Sequence, residues 1–386
     1  MGTLPFLSTG SLVLKIILFA NTEWYLYNFR RSLAMALRDA GHEVLLVSPL
    51  GPYGEQLQAL GFRWLPAPMV RRSLNPLREV ALVHWLRNLI RTERVDLVHG
   101  FTIKCAVYGA LASRWDGKAA RVSAVTGMGY VFTSDAPKAR MLRPMVRAML
   151  QVALGGKSTR LILQNPDDVD FFERTGVVDP STIRLIAGSG VDCSRFVPLG
   201  PRQRGKRFRV VLPARLLWDK GVAEYIEAAR RLHAAGLPID LLLAGQPDPG
   251  NPAAVPESLV CSWVAEGLVQ WLGHVDDMPA LFASVDAVAL PSYREGLPKG
   301  LIEAAASGLP LVTTDVPGCR EVVSDGVDGL LVPARNAEAL ALAIARLHAD
   351  PALCERLGAA ARHKALAEFD ERLVLDKTLA VYRELV

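Results

Sequence analysis

The chain has 386 residues, 51% of them hydrophobic and 22% charged, with a formal net charge of +5. That length exceeds what one core ordinarily fills and suits two domains of roughly 150 to 200 residues each, and the composition is that of a globular rather than a disordered protein. The charge is uneven: residues 1–195 hold 24 Lys and Arg against 15 Asp and Glu, while residues 196–386 hold 20 against 24, so an anionic partner for the first half is expected, whether nucleic acid, acidic lipid or a diphosphate.

Residues 12–20 have no basic leader and are interrupted by Lys15, so they read as a first strand rather than a signal peptide. No run of eighteen apolar residues lacks a charge, which argues against a membrane span. A helix follows over 24–40, with Phe29, Leu33, Leu37 and Ala40 at helical spacing. The alternation continues with a strand at 42–48, a helix at 51–60, a strand at 62–65, a helix at 74–92 and a strand at 95–99. A helix at 104–114 and a strand at 121–126 complete it. Such alternation predicts parallel pairing in a doubly wound α/β sheet, whose ligands gather at the carboxyl ends of the strands. The candidates there are Asn21 and Thr22, then His99, Thr102 and Lys104, then Thr126, Gly127 and Gly129. No GxGxxG follows the first strand, which disfavours a dinucleotide site. For His99 a structural hydrogen bond and a ligand contact are both open.

Residues 136–166 hold no acidic residue and six basic ones, Lys138, Arg140, Arg143, Arg147, Lys157 and Arg160, interleaved with Met and Leu. The pattern is a basic amphipathic helix, either an ordinary surface helix or a face for anionic lipid. Its cations lack an aromatic stacking platform, so nucleic acid is not the expected partner. Asp168-Val169-Asp170 resembles a metal-binding pair but follows Asn165-Pro166 and reads as helix capping. The five cysteines are scattered and form neither a disulfide framework nor a metal pair. Residues 198–207, rich in Pro, Gly and basic side chains, are the expected linker.

In the second half, a strand at 209–214 leads through Arg215-Leu-Leu-Trp-Asp-Lys220-Gly221 into a helix ending near 235, which Asp219 is placed to cap. Arg215 and Lys220 then flank a helix start, a good arrangement for holding a diphosphate. Strands at 241–245 and 269–273 end on Gly245 and Gly273. A strand at 287–290 opens the stretch PSYREGLPKGLIEAAASG. Gly296 breaks the chain, Pro298 suits a first helical position, and a helix runs over 299–307. The N–H groups of Gly296, Leu297, Pro298's neighbours and Lys299 form a rim for anions or hydroxyls. Glu295 lies before that rim and Glu303 beyond it; the plainer reading of the two is solvated carboxylates. As a glycosidase pair they would need to sit about 5 Å apart across one bond, closer than a loop plus more than one helical turn allows.

The pattern Glu295-Gly-Leu-Pro followed by Glu303, together with Arg215 and Lys220, resembles the signature of the family-four retaining glycosyltransferases. The resemblance covers nearly the whole chain. It implies a GT-B fold, two doubly wound Rossmann-like domains facing across a cleft. The segments NTEWYLYNFRRSLAMALRDAGHEV, VTGMGYVF and LILQNPDD are similar to the subgroup that extends undecaprenyl-diphosphate-linked sugars. By that resemblance, Glu295 lies on the donor sugar, Glu303 takes the ribose hydroxyls, and Arg215 and Lys220 hold the pyrophosphate. Gly296 to Lys299, Gly245 and Gly273 then line the donor, and His99, from its place at a strand end, is taken with them as a catalytic candidate. Many relatives carry a donor-contacting His where this chain has Thr126-Gly127-Met128-Gly129.

The implied domains are 1–197 for acceptor and membrane, 208–366 for the nucleotide sugar, and a last helix within 367–386 packing back on the first domain. Partners are a nucleotide sugar, with UDP as the first choice, a lipid-diphosphate-linked sugar, and an anionic membrane surface met by Lys138, Arg140, Arg143 and Arg147. No metal or other cofactor is expected, and the protein is placed in the cytoplasm, peripheral on the inner face of the plasma membrane. The alternatives are a nucleotide-sugar isomerase on the same architecture and a non-catalytic anion or membrane-surface binder.

Overall fold

The structure, a computed structural model, describes residues 13–71, 73, 75–125, 137–198 and 207–386. The chain forms two compact units, Met1–Ser189 with Val374–Val386, and Gly190–Leu373. Each is built on a wholly parallel sheet.

In the first unit the strands are β1 (Lys15–Phe19), β2 (Glu43–Ser48), β3 (Arg63–Pro66), β4 (Leu97–Phe101), β5 (Ala120–Ala124), β6 (Thr159–Leu163) and β7 (Ile183–Leu185). Their spatial order is β3-β2-β1-β4-β5-β6-β7. β1 and β4 are apolar along nearly their whole length and almost fully buried, as required of central strands covered by helices on both faces. In the second unit, β8 (Phe208–Pro213), β9 (Ile239–Ala244), β10 (Gln270–Gly273), β11 (Ala287–Leu290), β12 (Leu311–Thr314) and β13 (Leu330–Val332) are ordered β10-β9-β8-β11-β12-β13. In both sheets the direction of winding reverses beside the first strand, between β1 and β4 and between β8 and β11. These are the topological switch points at which open α/β sheets hold ligands.

Several local features differ from expectation. Strands β6, β7 and β13 were not anticipated. β7 and β13 have three residues each, too few to carry a period, and β6 lies within the stretch notable for its basic side chains. The first helix is not continuous. Thr22 caps a short turn, Glu23–Tyr25, by accepting from the Tyr25 N–H at 3.1 Å. A π-helical turn, Leu26–Arg30, precedes the regular helix Arg31–Asp39. That turn rotates Arg30 inward, leaving it 5% exposed. Asp219 caps no helix: it lies in the 3₁₀ turn Trp218–Lys220, and Gly221 occupies the cap position of helix Val222–Ala234.

The last helix, Glu371–Arg383, begins in the second unit and ends in the first. There Val374, Leu379, Val381 and Tyr382 join the core that holds Ile16 and Leu18 of β1. Beyond the helix, Glu384 pairs with Arg160 at 2.6 Å and with Arg184 at 2.5 Å. Those two arginines hold its carboxyl well down, at about 2.

Candidate active site

The second unit brings Lys220, Ser292 and Glu295 together at the β8/β11 switch point. Glu295 Oε1 accepts from Lys220 Nζ at 2.5 Å and from Ser292 Oγ at 2.7 Å. Both members of the ion pair are largely withdrawn from water, at 19% and 10% side-chain exposure. All the described partners of this carboxylate reach Oε1, so Oε2 is left for another hydrogen bond. Withdrawn charges hold each other firmly because little water screens them, and removing one strands the other.

The loops carrying this pair are fixed through the backbone. Tyr293 N–H donates to the Asp219 carbonyl at 2.9 Å, tying the β11 loop to the Lys220 turn. The Tyr293 hydroxyl donates to the Glu224 carboxylate at 2.8 Å, while the Arg335 guanidinium covers its ring at 4.0 Å. Thr314 Oγ1 holds the Ser292 carbonyl, and Glu295 N–H donates to the Pro317 carbonyl at 3.1 Å. Two glycines permit these approaches. Gly221 has φ +72°, and a Cβ there would lie 2.0 Å from the Pro291 carbonyl oxygen; Gly318 has φ +83°, and a Cβ would lie within 2.7 Å of the Glu295 backbone. Sequence reading missed Gly221, Ser292, Tyr293, Glu224 and Gly318 as parts of the site. The glycines were visible only as turn signals, because the close contacts are with residues far along the chain.

Helix Lys299–Ala306 starts without a side-chain cap, since Pro298 has none to offer. Gly300 packs against the end of β8, an added Cβ lying 3.0 Å from the Pro213 carbonyl. The helix N-terminus, with Gly296, Leu297 and Lys299 half-exposed before it, is thereby held at the carboxyl end of the central strand. Glu303 sits one turn in, 3.6 Å from Lys299 Nζ. Burial pushes its carboxyl above the ordinary range, against the opposing pull of Lys299 and Arg195.

Arg215 is placed differently. Its guanidinium is half-exposed and donates to Asp248 at 2.8 Å, and Asn251 donates to the same carboxylate oxygen at 3.2 Å. Asp248, unremarked in the sequence, therefore orients it. Gly245 packs on the Ala214 carbonyl and accepts from Trp271 Nε1 at 2.7 Å, whereas Gly273 borders open space.

In the first unit His99 is 1% exposed. Its Nδ1 lies 2.6 Å from the Tyr382 hydroxyl, and its ring packs on Phe101. Burial and the nearby Arg30 charge hold this imidazole well below its usual pKa, so it is neutral. Lys104 is ion-paired to Glu79 at 3.0 Å and donates to the Val70 and Ser73 carbonyls, which fixes the segment after β3. Asn21 and Thr102 are half-buried at the ends of β1 and β4. Thr126, Gly127 and Gly129 lie outside the described residues.

The basic segment forms helix Pro137–Leu154 with Pro144 inside it. Leu150, Ala153 and Leu154 are buried, whereas Met141 and Val152 are exposed. Arg143 and Arg147 border a groove of about 450 Å³ floored by Phe171 and Thr175; the side chains of Lys138 and Arg140 lie outside the described set. Among the described residues no group of His, Cys, Asp and Glu side chains has the arrangement to hold a metal ion, and no helix is long and apolar enough to cross a membrane.

The two parallel sheets, each with a switch point beside its first strand, are a GT-B architecture, and comparison with known proteins gives the family. A family model described as Glycosyl transferases group 1 matches residues 207–350, and one described as Glycosyl transferase 4-like domain matches residues 28–188. The chain belongs to the family-four glycosyltransferases. It is 27% identical over 372 residues to the N,N'-diacetylbacillosaminyl-diphospho-undecaprenol alpha-1,3-N-acetylgalactosaminyltransferase of Campylobacter jejuni, covering 94% of this chain and 96% of that one. It is 24% identical to the UDP-Gal:alpha-D-GlcNAc-diphosphoundecaprenol alpha-1,3-galactosyltransferase of Escherichia coli, covering 83% of each. The structure of Anabaena Alr3699/HepE in complex with UDP and glucose superposes with a TM-score of 0.75 at 21% identity, over 95% of this chain and 99% of that one, a likeness of fold.

The contact between the Lys220 turn and Pro291 generates a prediction. Gly221→Ala adds a Cβ in a left-handed conformation against a carbonyl. It should cost roughly 2 kcal/mol or more of stability and reduce transfer even well below the melting temperature, as thermal melts and activity assays on one preparation would read. Wild-type behaviour in both would show that the close approach does not position Lys220.

Proposed function

We propose that the chain moves a hexose or N-acetylhexosamine, with retention, from UDP to a lipid-diphosphate-linked sugar. The observation that carries this is the Lys220–Glu295 pair, held with Ser292 at the β8/β11 switch point beside an uncapped helix start. Two relatives along most of their length are named for transfer to undecaprenyl-diphosphate-linked sugars, one of them from UDP-Gal.

In this reading the diphosphate binds against Lys220, Arg215 and the amides before helix Lys299–Ala306, where fixed positive charge favours an anion. Glu303 takes the ribose hydroxyls and Glu295 Oε2 a hydroxyl of the sugar. The bond from the anomeric carbon to the diphosphate oxygen breaks, and its electron pair leaves on that oxygen. The acceptor hydroxyl oxygen bonds to the same carbon from the same face, its proton passing to the departing phosphate. Lys220 and Arg215 stabilise the charge that grows on the leaving group, which is where preorganised cations accelerate a reaction most.

UDP should raise the melting temperature of the wild type, since a ligand that binds only the native state stabilises it. Lys220→Ala should abolish most of that shift. Glu295→Ala should keep its fold and much of the UDP shift yet lose about 10²–10³ in transfer rate. Undiminished transfer by Glu295→Ala would refute the assignment.

The half-exposed helix Pro137–Leu154 meets anionic lipid in this reading, its exposed Met141 entering the interface and Arg143 and Arg147 facing phosphates. The protein should float with vesicles containing phosphatidylglycerol, not with phosphatidylcholine alone, and be released by salt of about 1 M. The double variant Arg143→Glu with Arg147→Glu should stay unbound; equal flotation of that variant would contradict lipid contact through this helix.

A further inference from the structure

The first unit holds a buried cation that none of the described residues neutralises. Arg30 is 5% exposed, and among the described residues it has no ion-paired carboxylate. Its described contacts are one hydrogen bond from Nη2 to the Tyr25 hydroxyl at 3.1 Å and the faces of Phe101 and Tyr25, 4.3 and 5.6 Å from its guanidinium carbon. Cation–π contact attracts a guanidinium, but it does not supply the full counter-charge that a desolvated cation requires. Arg30 Nε, moreover, is shut off from solvent without a partner.

Two further polar atoms around the Phe101 ring share that condition: His99 Nε2 and Thr102 Oγ1 are also buried without a hydrogen bond. The His99 ring lies 4.0 Å from the Phe101 ring, centre to centre, and Thr102 follows Phe101 in the chain. The imidazole tautomer can be assigned. The buried Tyr382 remains a phenol, burial holding its pKa far above neutrality; among the described residues its hydroxyl has no acceptor other than His99 Nδ1, 2.6 Å away, so it donates there. The neutral ring then carries its own hydrogen on Nε2. The three atoms are therefore all donors: a guanidinium N–H, an imidazole N–H and a hydroxyl. Apart from a weak thiol contact between Thr102 and Cys105, no acceptor among the described residues meets them.

Thr102 adds a second anomaly. Its φ is +67°, a left-handed conformation that a β-branched residue takes only under constraint. It stands at the carboxyl end of β4, at the β1/β4 switch point. Strain, an unneutralised cation, two unmet donors and a hydroxyl met only by a thiol thus coincide where a sheet of this winding holds ligands.

We propose that Arg30, His99 and Thr102 form an oxyanion subsite in the first unit that takes a phosphate of the acceptor's diphosphate. A phosphate supplies the missing negative charge and enough lone pairs for all three donors. The inference rests on the transferase reading and adds a residue-level site for the acceptor, separate from the Lys220 site for the donor.

The test uses the full chain carrying Arg215→Ala and Lys220→Ala, so that the donor site no longer captures diphosphate, with inorganic pyrophosphate and farnesyl diphosphate as probes in thermal-shift titrations. At least one probe should raise the melting temperature. A shift with farnesyl diphosphate alone identifies a lipid-linked source, and a shift with both identifies the diphosphate itself. Adding Arg30→Gln should remove the shift. Because that change could unfold the unit, Thr102→Gly serves as the second variant: glycine relieves the left-handed strain, so the melting temperature should not fall, while loss of the hydroxyl should lower apparent probe affinity about threefold or more. No shift with either probe, or shifts unaltered by both variants, would overturn the proposal. A UDP shift in the protein with Arg215 and Lys220 intact keeps the transferase reading standing in that event, so the two failures are distinguishable.

Discussion

The ion pair between Lys220 and Glu295 is the constraint on which the chemistry proposed for the second unit depends. Each charge is largely withdrawn from water, so each needs the other. The pair joins two loops that the sequence separates by some seventy residues and the sheet brings side by side. The surrounding bonds serve that junction. Tyr293 N–H reaches the Asp219 carbonyl, Gly221 lets the Lys220 turn press on Pro291, and Gly318 admits the backbone of Glu295. Under the proposed function such a site needs little rearrangement to receive a diphosphate, because the cation and the helix start already lie at the carboxyl edge of the sheet.

The first unit shows the opposite electrostatic condition. In the second unit a buried cation has its carboxylate, and even the more exposed Arg215 is oriented by Asp248. Lys104 is likewise matched by Glu79. Arg30 alone among these is buried and unmatched, because the π-helical turn Leu26–Arg30 swings it under Phe101. The last helix, which crosses from the second unit, supplies Tyr382 and thereby fixes which nitrogen of His99 carries hydrogen. Both sheets thus present donors at their switch points, one set already paired and the other open.

Much of this was legible in the sequence because the relevant signals are local. Alternating apolar runs and helical periods gave the doubly wound class. Glu295, Glu303, Arg215 and Lys220 stood out because carboxylates and cations beside helix starts are conspicuous in an apolar background. What escaped reading depends on distant partners or on backbone geometry. Three-residue strands such as β7 and β13 owe their existence to neighbouring strands rather than to period. The π turn that buries Arg30 interrupts a pattern that reads as continuous helix. Asp219 looks like a cap by type, but a left-handed Gly221 takes the cap position and leaves the Asp219 carbonyl for Tyr293. His99 and Lys104 were visible as strand-end candidates, yet only tertiary packing shows that one faces Tyr382 and the other Glu79.

A double-mutant cycle on the central pair tests the account most directly. Transfer efficiency, kcat/KM, would be measured for wild type, Lys220→Met, Glu295→Gln and the double variant. Groups that act as one unit give strongly non-additive losses. The account predicts that the double variant is scarcely worse than the poorer single one, a coupling of at least about 1.5 kcal/mol. Losses that simply add on the logarithmic scale would show two independent side chains, and would contradict the claim that this ion pair organises the site.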